Sequence, residues 1–404
     1  MFGAIAFLLV YTLYFNRLGD TFAYLGISKN LYYLIIENPK ILFEIFNPNA
    51  DTKSIEYFQF IKDIDFYADW DTYTVILFTT GINFITLGLP FATTVVFSAI
   101  SFIGLWRLYL IIKRIFPENK LEALVACLFV PSVVFWGSGV LKDTLVMGFF
   151  GFFLHSLFSI ILFREFNFKN WFWLIISPTV VALIKPYIIL SVIPALLFFF
   201  LSLTTRKIKN LVVKFVVLPL VVLVVSGFSV YAIVKIGDFF PQYSTEKVLE
   251  TAQKYQLHHY AGGNVNAEGA GSGYSLGDYE ASFTGVLSQV PLAINVTLFR
   301  PYLWEIRNPG MIISAFESLI FLVLSVIILF KSGFVRSFKL IRSHEFLTFS
   351  AVFFLFFAFA VGFSSYNFGA LARYKIPCLP FFIFVLLYLF KKSNKEKKKL
   401  FILK

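Results

Sequence analysis

Charged residues are scarce in this chain of 404 residues, in which Asp, Glu, Lys and Arg together make up 14%. A soluble domain normally carries about a quarter of such residues. Apolar side chains make up 58% of the chain, 54 residues are Phe, and the mean hydropathy is +0.79. This composition excludes a disordered chain and argues against almost any soluble enzyme, so we expect the bilayer to be the main solvent of this protein.

Several common chemical signals are also missing. Cysteine occurs only at Cys127 and Cys378, both in apolar stretches, which argues against a disulfide framework or a cysteine metal cluster. The sequence contains no Walker-type phosphate loop, no HExxH and no CxxC. Residues 2–15 are apolar but lack a basic start and a small-residue cleavage site, so we expect no cleavable signal peptide. Because this run is short for a span, we expect a few residues to be missing from its start.

Ten apolar runs predict transmembrane helices. They lie at 2–15, 91–113, 122–136, 143–163, 171–184, 187–203, 213–236, 311–330, 346–364 and 376–391. The run Tyr73–Leu89 is interpreted as an interfacial helix instead, because the basic loops then share one side of the membrane. The predicted fold is therefore an all-α polytopic membrane protein, with about ten transmembrane helices in a single domain over residues 1–404.

The formal net charge of +12 is explained by this topology. The loops at 113–122, 164–170, 204–214 and 331–345 and the tail from Lys391 hold 20 basic residues and five acidic ones. The positive-inside rule places them, with the C-terminus, in the cytoplasm. We interpret the basic tail as an anchor near anionic membrane lipids, and we predict no nucleic-acid partner because no base-reading surface is apparent.

The first of two long outer segments covers residues 16–90. Apolar residues recur at every third position in part of it, at Ile55, Phe58, Ile61 and Ile64. This spacing predicts a helix lying on the membrane surface. A nearby acidic set, Asp63, Asp65, Asp69 and Asp71, is compatible with a bound cation, but a solvated surface is the favoured interpretation.

The second outer segment covers residues 237–310. Its part Ala261–Gly277 is rich in glycine and without periodicity, which predicts a mobile loop, and Phe283–Val296 predicts another interfacial helix. Gly273–Gly277 matches GxSxG, but no apolar strand precedes it to form a nucleophile elbow, so we interpret the match as chance. The adjacent pair His258 and His259 is interpreted as a solvated pair rather than a metal site.

Polar residues collect at the predicted outer ends of the spans. A charge near hydrocarbon costs roughly 2.5–3.5 kcal/mol on insertion scales, so such residues usually have a function. They form five groups: Asp20 with Tyr24, Lys142 with Asp143, Lys185 with Tyr187, Arg300 with Glu305, and Arg373 with Tyr374. In the predicted topology all five groups face the same side of the membrane at similar depth.

This constellation resembles the integral-membrane glycosyltransferases of the GT-C superfamily, especially the dolichyl-phosphate-mannose protein mannosyltransferases and the lipid A aminoarabinose transferases. The resemblance depends on an acid just after the first span, in Gly19-Asp20, on a second outer acid, Asp143, and on Arg373-Tyr374…Pro377…Pro380. It covers most of the chain as a pattern. The sequence differs in having Thr21 where many relatives carry a second acid.

The resemblance implies a GT-C-like fold in a bacterial inner membrane, with both outer segments as periplasmic loops. It implies transfer of a sugar from a polyprenyl-phosphate-linked donor to a glycan, lipid or protein acceptor, in envelope glycan synthesis or modification. Asp20 would be the catalytic base and Asp143 would organise the site. Lys185, Arg300 and Arg373 would bind the donor phosphate, with Lys142, Tyr24, Tyr187, Glu305 and Tyr374 in support. No cofactor is certain, and a divalent metal ion stays an open alternative.

Each of these residues also has a structural interpretation. Asp143 would cap a helix beside Lys142. Arg300 and Glu305 would form an ion pair that braces the interfacial helix. Lys375, next to the Arg373 group, is best interpreted as a residue that extends its amine to the interface.

Two other functions stay open. An O-antigen polymerase or ligase would use Arg300, Arg373 and His258, and Asp20 would then be dispensable. A non-enzymatic transporter or scaffold is the other alternative. Transporters often have paired repeats and ionisable groups in mid-span, and neither feature is apparent in this sequence.

Overall fold

A computed structural model of the protein describes residues 2–14, 16, 19–45, 54–62, 70–207, 272–277, 279 and 283–402, without the side chains of 205–207, 283 and 395–402. Within these ranges every regular element is helical, apart from one isolated β-bridge between Gly273 and Asn367. The predicted span 213–236 lies outside the described residues, as do residues 63–69 and the pair His258 and His259.

The helices of the described ranges follow one another in this order. The first ten are α1 (Phe2–Leu13), α2 (Asp20–Glu37), α3 (Ile41–Glu44), α4 (Ile55–Lys62), α5 (Trp70–Thr86), α6 (Pro90–Ile115), α7 (Lys120–Leu128), α8 (Pro131–Trp136), α9 (Lys142–Phe163) and α10 (Phe168–Ile184). The others are α11 (Pro186–Lys207), α12 (Phe283–Ser288), α13 (Val290–Phe299), α14 (Gly310–Ser332), α15 (Phe334–Arg342), α16 (Glu345–Ser365), α17 (Phe368–Tyr374) and α18 (Leu379–Ile402).

The chain divides into two compact units. The first contains Met1–Phe116 and Val133–Pro186, and the second contains Pro117–Ser132 and Tyr187–Lys404. The single transmembrane domain over residues 1–404 that the sequence predicts stays a prediction.

Long apolar helices indicate a multi-pass membrane protein. Among the described residues, five helices are long and apolar enough to cross a membrane, namely α6, α9, α11 over Pro186–Thr204, α14 and α16. A sixth span results if α17 and the first part of α18, which are bent by 74° at their junction, are taken together. Helices α1, α10 and α13 are shorter and apolar.

Two predicted spans are interrupted by prolines. The predicted span 122–136 consists of α7 and α8, which are separated at Phe129 and Val130 because Pro131 disfavours a helical conformation in the residue before it. The predicted span 376–391 begins only at Leu379, after Pro377, and its helix continues into the basic tail.

Glycine allows a close helix contact in the first unit, between α6 and α9. A Cβ atom on Gly104 would overlap the backbone of Gly148, and one on Gly151 would overlap the backbone of Gly104. Small residues at such positions allow apolar helices to approach closely. Inside a membrane the hydrophobic effect does not bring helices together, so this close backbone packing stabilises their contact instead. On the other side of α9, Phe152 stacks on Trp173 of α10 with 4.2 Å between ring centroids.

In the second unit, α13 packs against α16. The Thr297 hydroxyl donates to the carbonyl of Ala358 at 2.7 Å, and Gly362 leaves room for the backbone of Ala293. The segment predicted as one interfacial helix therefore forms two helices, α12 and α13. The second of them is partly buried against a candidate span.

Candidate functional site

The start of α9 and the end of α10 meet in a buried ion pair. Asp143 lies in the first turn of α9, and Lys185 directly follows α10, whose packing along α9 brings the two residues together. The Lys185 ammonium donates to Oδ1 of Asp143, with 6% of the lysine side chain and none of the aspartate side chain exposed. Each charge therefore compensates the desolvation of the other, and removal of either would remove that compensation.

A second ion pair adjoins the first in sequence. Nζ of Lys142 lies 2.6 Å from Oδ2 of Asp71, which is in the first turn of α5. The other oxygen of Asp71 accepts the amide of Thr72 at 2.9 Å. Asp71 was interpreted from the sequence as part of a solvated acidic surface, which is wrong, because it joins α5 to the start of α9.

Asp20 lies at the first turn of α2 and is partly buried. Gly19 before it has a φ of 103°, which lets the chain turn sharply into the helix, as few residues other than glycine do. The hydroxyl of the next residue, Thr21, donates to the carbonyl of Val140 at 3.2 Å. This bond ties the start of α2 to the segment that leads into Lys142 and Asp143. Tyr24, one turn further along α2, is buried.

We call these five residues of the first unit, Asp20, Asp71, Lys142, Asp143 and Lys185, the acid–lysine cluster. Its three carboxylates lie in the first turns of α2, α5 and α9, near the positive end of each helix dipole. Ionised carboxylates beside lysines suit the removal of a proton from a hydroxyl and the stabilisation of a departing anion. The sequence predicted every member except Asp71.

Arg300 has a different environment, in the second unit. Its Nε lies 3.0 Å from each carboxylate oxygen of Glu305, and its Nη2 donates to the same carboxylate. The guanidinium lies 5.3 Å from the ring centroid of Phe368 and 5.8 Å from those of Tyr274 and Tyr302. The contact with Glu305 that we expected is present. It leaves Nη1 as the nitrogen with no acceptor among the described residues.

Residues 272–277, the end of the segment expected to be mobile, are anchored beside Arg300. The Tyr274 amide donates to the carbonyl of Tyr366 at 3.1 Å, and the Phe368 amide donates to the carbonyl of Ser272 at 2.8 Å. Burial raises the pKa of the Tyr274 phenol, which therefore stays protonated and donates to the carbonyl of Gly362 at 2.8 Å. Residues 261–271 lie outside the described residues.

The GxSxG match in the same segment has no nucleophile geometry. Oγ of Ser275 accepts the amide of Gly277 at 2.9 Å, and Tyr274 to Gly277 are neither strand nor helix. A nucleophile elbow requires a sharp turn from a strand into a helix. The arrangement agrees with the interpretation of the match as chance.

The contacts of three other predicted site residues, Arg373, Tyr374 and Tyr187, say less about function. The guanidinium of Arg373 lies 5.7 Å from the ring centroid of Tyr374, its neighbour in sequence. Tyr187 belongs to the second unit, where its ring lies 5.8 Å from that of Phe357 on α16. Neither contact indicates a substrate-binding role.

Lys375 is fully buried, so the prediction that it reaches the interface is wrong. Its Nζ lies 3.3 Å from Oγ of Ser318, which in turn donates to the carbonyl of Arg300 at 3.0 Å. Next to Ser318 on α14 is Glu317, which is 3% exposed and accepts both the amide and the hydroxyl of Ser132, at 2.8 and 2.6 Å. The sequence interpretation missed Glu317, although it is the single charged residue of the apolar run 311–330.

Among the described residues, no group of three or more His, Cys, Asp or Glu side chains is placed to hold a metal ion. Comparisons with protein-family models, curated proteins and solved structures found no match. No relative therefore assigns a chemistry to the acid–lysine cluster.

Proposed function

We propose that the protein is a membrane glycosyltransferase that moves a sugar from a polyprenyl-phosphate-linked donor to an acceptor hydroxyl. The observation that supports this most is the acid–lysine cluster, in which two ion pairs lie at the ends of helices and the hydrogen bond from Thr21 to Val140 ties the helix start that carries Asp20 to the segment before Lys142. A donor with a lipid tail would reach such a site from the bilayer, and a polar acceptor would reach it from water. The acceptor would be a glycan, a lipid or a protein.

In the proposed reaction the three acids of the cluster would have different roles. Asp71 and Asp143 each have a lysine partner, which fixes the position of the carboxylate. Asp20 would take the proton of the acceptor hydroxyl, whose oxygen attacks the anomeric carbon. The bond from that carbon to the phosphate oxygen breaks, and the polyprenyl phosphate leaves with the electron pair. A positioned base typically contributes about 10²–10⁴-fold to such a rate.

The departing phosphate would need cations. Lys185 is a candidate in the first unit, but Asp143 already compensates its charge, so Lys185 would have to share its donors between the two anions. Arg300 and Arg373, in the second unit, stay predictions as phosphate ligands. For Arg300, Glu305 accepts from Nε and from Nη2, so the two N–H groups of Nη1 and the second N–H of Nη2 would be left for the phosphate.

The proposal includes the finer features that the sequence predicted. We propose about ten transmembrane helices in a GT-C-like arrangement, to which the described residues contribute five or six long candidates. We also propose a bacterial inner-membrane location, with the acid–lysine cluster on the periplasmic side and the C-terminus in the cytoplasm. The basic loops identified from the sequence support this orientation.

The proposal can be tested with the full chain reconstituted in liposomes that contain radiolabelled polyprenyl-phosphate hexoses. The measured quantity is the release of polyprenyl phosphate with transfer of the label to an added acceptor. We expect Asp20→Asn to lower the rate about 10²–10⁴-fold. Glu37→Gln, which removes the same charge from the exposed far end of α2, is the control and should keep the wild-type rate. Full activity of a well-folded Asp20→Asn protein would refute the role of Asp20 and would favour a polymerase or ligase based on Arg300.

One observation favours a second function, that of a transporter. Glu317 and Lys375 are buried ionisable residues in or beside helices long enough to span, and such residues often mark ion or substrate pathways. In a transporter, Glu317→Gln would abolish solute uptake into liposomes and no donor would be consumed. In the proposed transferase, donor consumption depends on Asp20 instead.

A further inference from the structure

Helix α15 connects two candidate membrane spans. It begins directly after Gly333, which ends α14, and only Ser343 and His344 separate it from α16. Both of its neighbours are long and apolar enough to cross a membrane. Because each end of α15 is tied to the end of such a helix, α15 is held at the level where the hydrocarbon meets the lipid headgroups.

Three different faces follow one another around this helix, in which successive residues are turned by about 100°. One face contains the buried Ser337 with the partly buried Leu340 and Ile341, and it packs against the protein. The next face is apolar and exposed: Phe334, Val335 and Phe338 are 74%, 65% and 50% accessible. The third face carries the exposed basic residues Arg336, Lys339 and Arg342.

We propose that α15 binds anionic phospholipid headgroups of the membrane in which the protein sits. Its apolar face would lie among the first carbons of the acyl chains, and its basic face would meet the lipid phosphates. This division into an apolar and a cationic face is the one that interfacial membrane helices use. The inference does not depend on the proposed glycosyltransferase activity.

Charge and side-chain position favour a lipid over other partners. The helix carries three cations and no acid, and the segment 331–345 that contains it holds four basic residues and one acid, Glu345, so it is net positive whichever ion pairs form within it. The guanidinium of Arg342 lies 5.6 Å from the ring of Phe338, at the border between the apolar and basic faces. Phe334 and Phe338 stack on each other with 6.4 Å between centroids. An exposed aromatic pair beside cations fits a layer that is apolar on one side and anionic on the other.

The expected contribution of each cation is modest and additive. A basic residue near an anionic membrane surface strengthens attachment by about fivefold. The loss of all three cations should therefore weaken the retention of an anionic lipid by about a hundredfold at low salt. Retention of a zwitterionic lipid should not depend on them.

The test compares lipids that stay bound to the full-length protein after purification in detergent. The probes are phosphatidylglycerol and phosphatidylcholine, added at equal concentration and counted by native mass spectrometry. We expect wild-type protein to retain phosphatidylglycerol preferentially, and the triple variant Arg336→Gln, Lys339→Gln, Arg342→Gln to lose most of that preference, with the basic tail from Lys391 supplying the rest. The control triple variant Lys29→Gln, Lys40→Gln, Lys62→Gln removes the same charge from exposed positions of the first unit and should keep it.

Two further arms separate headgroup binding from acyl-chain binding and from the binding of free phosphate. Phe334→Ser with Phe338→Ser should weaken retention of both lipids, because the apolar face does not distinguish headgroups. Sodium phosphate in place of chloride, at equal ionic strength, should leave phosphatidylglycerol bound. The proposal is overturned if wild-type protein shows no preference, if both triple variants lose it equally, or if free phosphate displaces the lipid.

Discussion

Lys185 forms an ion pair with Asp143 in which both side chains are buried, although 42 positions separate them in the sequence. The pair joins the end of α10 to the start of α9. Both residues were predicted as site residues, with separate roles. Their contact means that neither charge acts alone, and any effect of one on catalysis includes an effect on the other.

We expect Lys185→Met to destabilise the protein by about 3–5 kcal/mol, because it removes the ammonium group that compensates the buried Asp143 carboxylate. The double variant Asp143→Leu, Lys185→Met removes both charges, and we expect it to recover most of that loss. Thermal unfolding in a single detergent measures both. The single variant Asp143→Leu completes the comparison: a loss in the double variant equal to the sum of the losses in the two single variants would show that the two side chains are not energetically coupled.

The apolar spans were predictable from the sequence because a continuous apolar run is a local signal. The runs 91–113 and 143–163 correspond closely to α6 and α9. The pairing of Lys142 with Asp71 was not predictable, since 71 positions separate the two residues and the contact depends on how α5 packs near α9. Glu317 was missed for another reason: an isolated acid does not interrupt an apolar run, so the run was interpreted as a span and its charge was overlooked.

The contact between α6 and α9 predicts that alanine substitutions at two glycines have very different effects on stability. Gly104→Ala places a methyl group into the backbone of Gly148, so the helices must separate, and we expect a loss of about 1–3 kcal/mol or more. Gly81→Ala is the matched control, because a Cβ atom there meets nothing within 4 Å and lies inside helix α5. It should be neutral or stabilise by about 0.4–1 kcal/mol. The apparent melting temperatures of the two variants should therefore move in different directions or by very different amounts.

The anchoring of residues 272–277 predicts that loss of the Tyr274 hydroxyl loosens this segment locally. Tyr274→Phe keeps the ring beside Arg300 but removes the hydrogen bond to Gly362, worth about 1 kcal/mol. We expect amide exchange in this segment to become about fivefold faster, with little change in global unfolding. Tyr279→Phe is the control, since its hydroxyl makes only a 3.4 Å contact with that of Tyr366. Exchange that is unchanged in Tyr274→Phe, or equally faster in both variants, would contradict this role.

Glu317 allows a structural role to be separated from a transport role. Its carboxylate accepts the first-turn amide and the hydroxyl of Ser132 in α8, and it lies near the buried Lys375. Glu317→Ala should therefore destabilise the protein by about 3–5 kcal/mol, because Ser132 loses its acceptor and Lys375 its compensating charge. Glu317→Gln with Lys375→Met keeps an acceptor for Ser132 and removes both charges, so we expect it to fold with near wild-type stability. If the protein is a transferase, this folded double variant should still consume a polyprenyl-phosphate donor. If the protein is a transporter whose pathway requires the charges of Glu317 and Lys375, the double variant should fold equally well but take up no solute, because both charges have been removed.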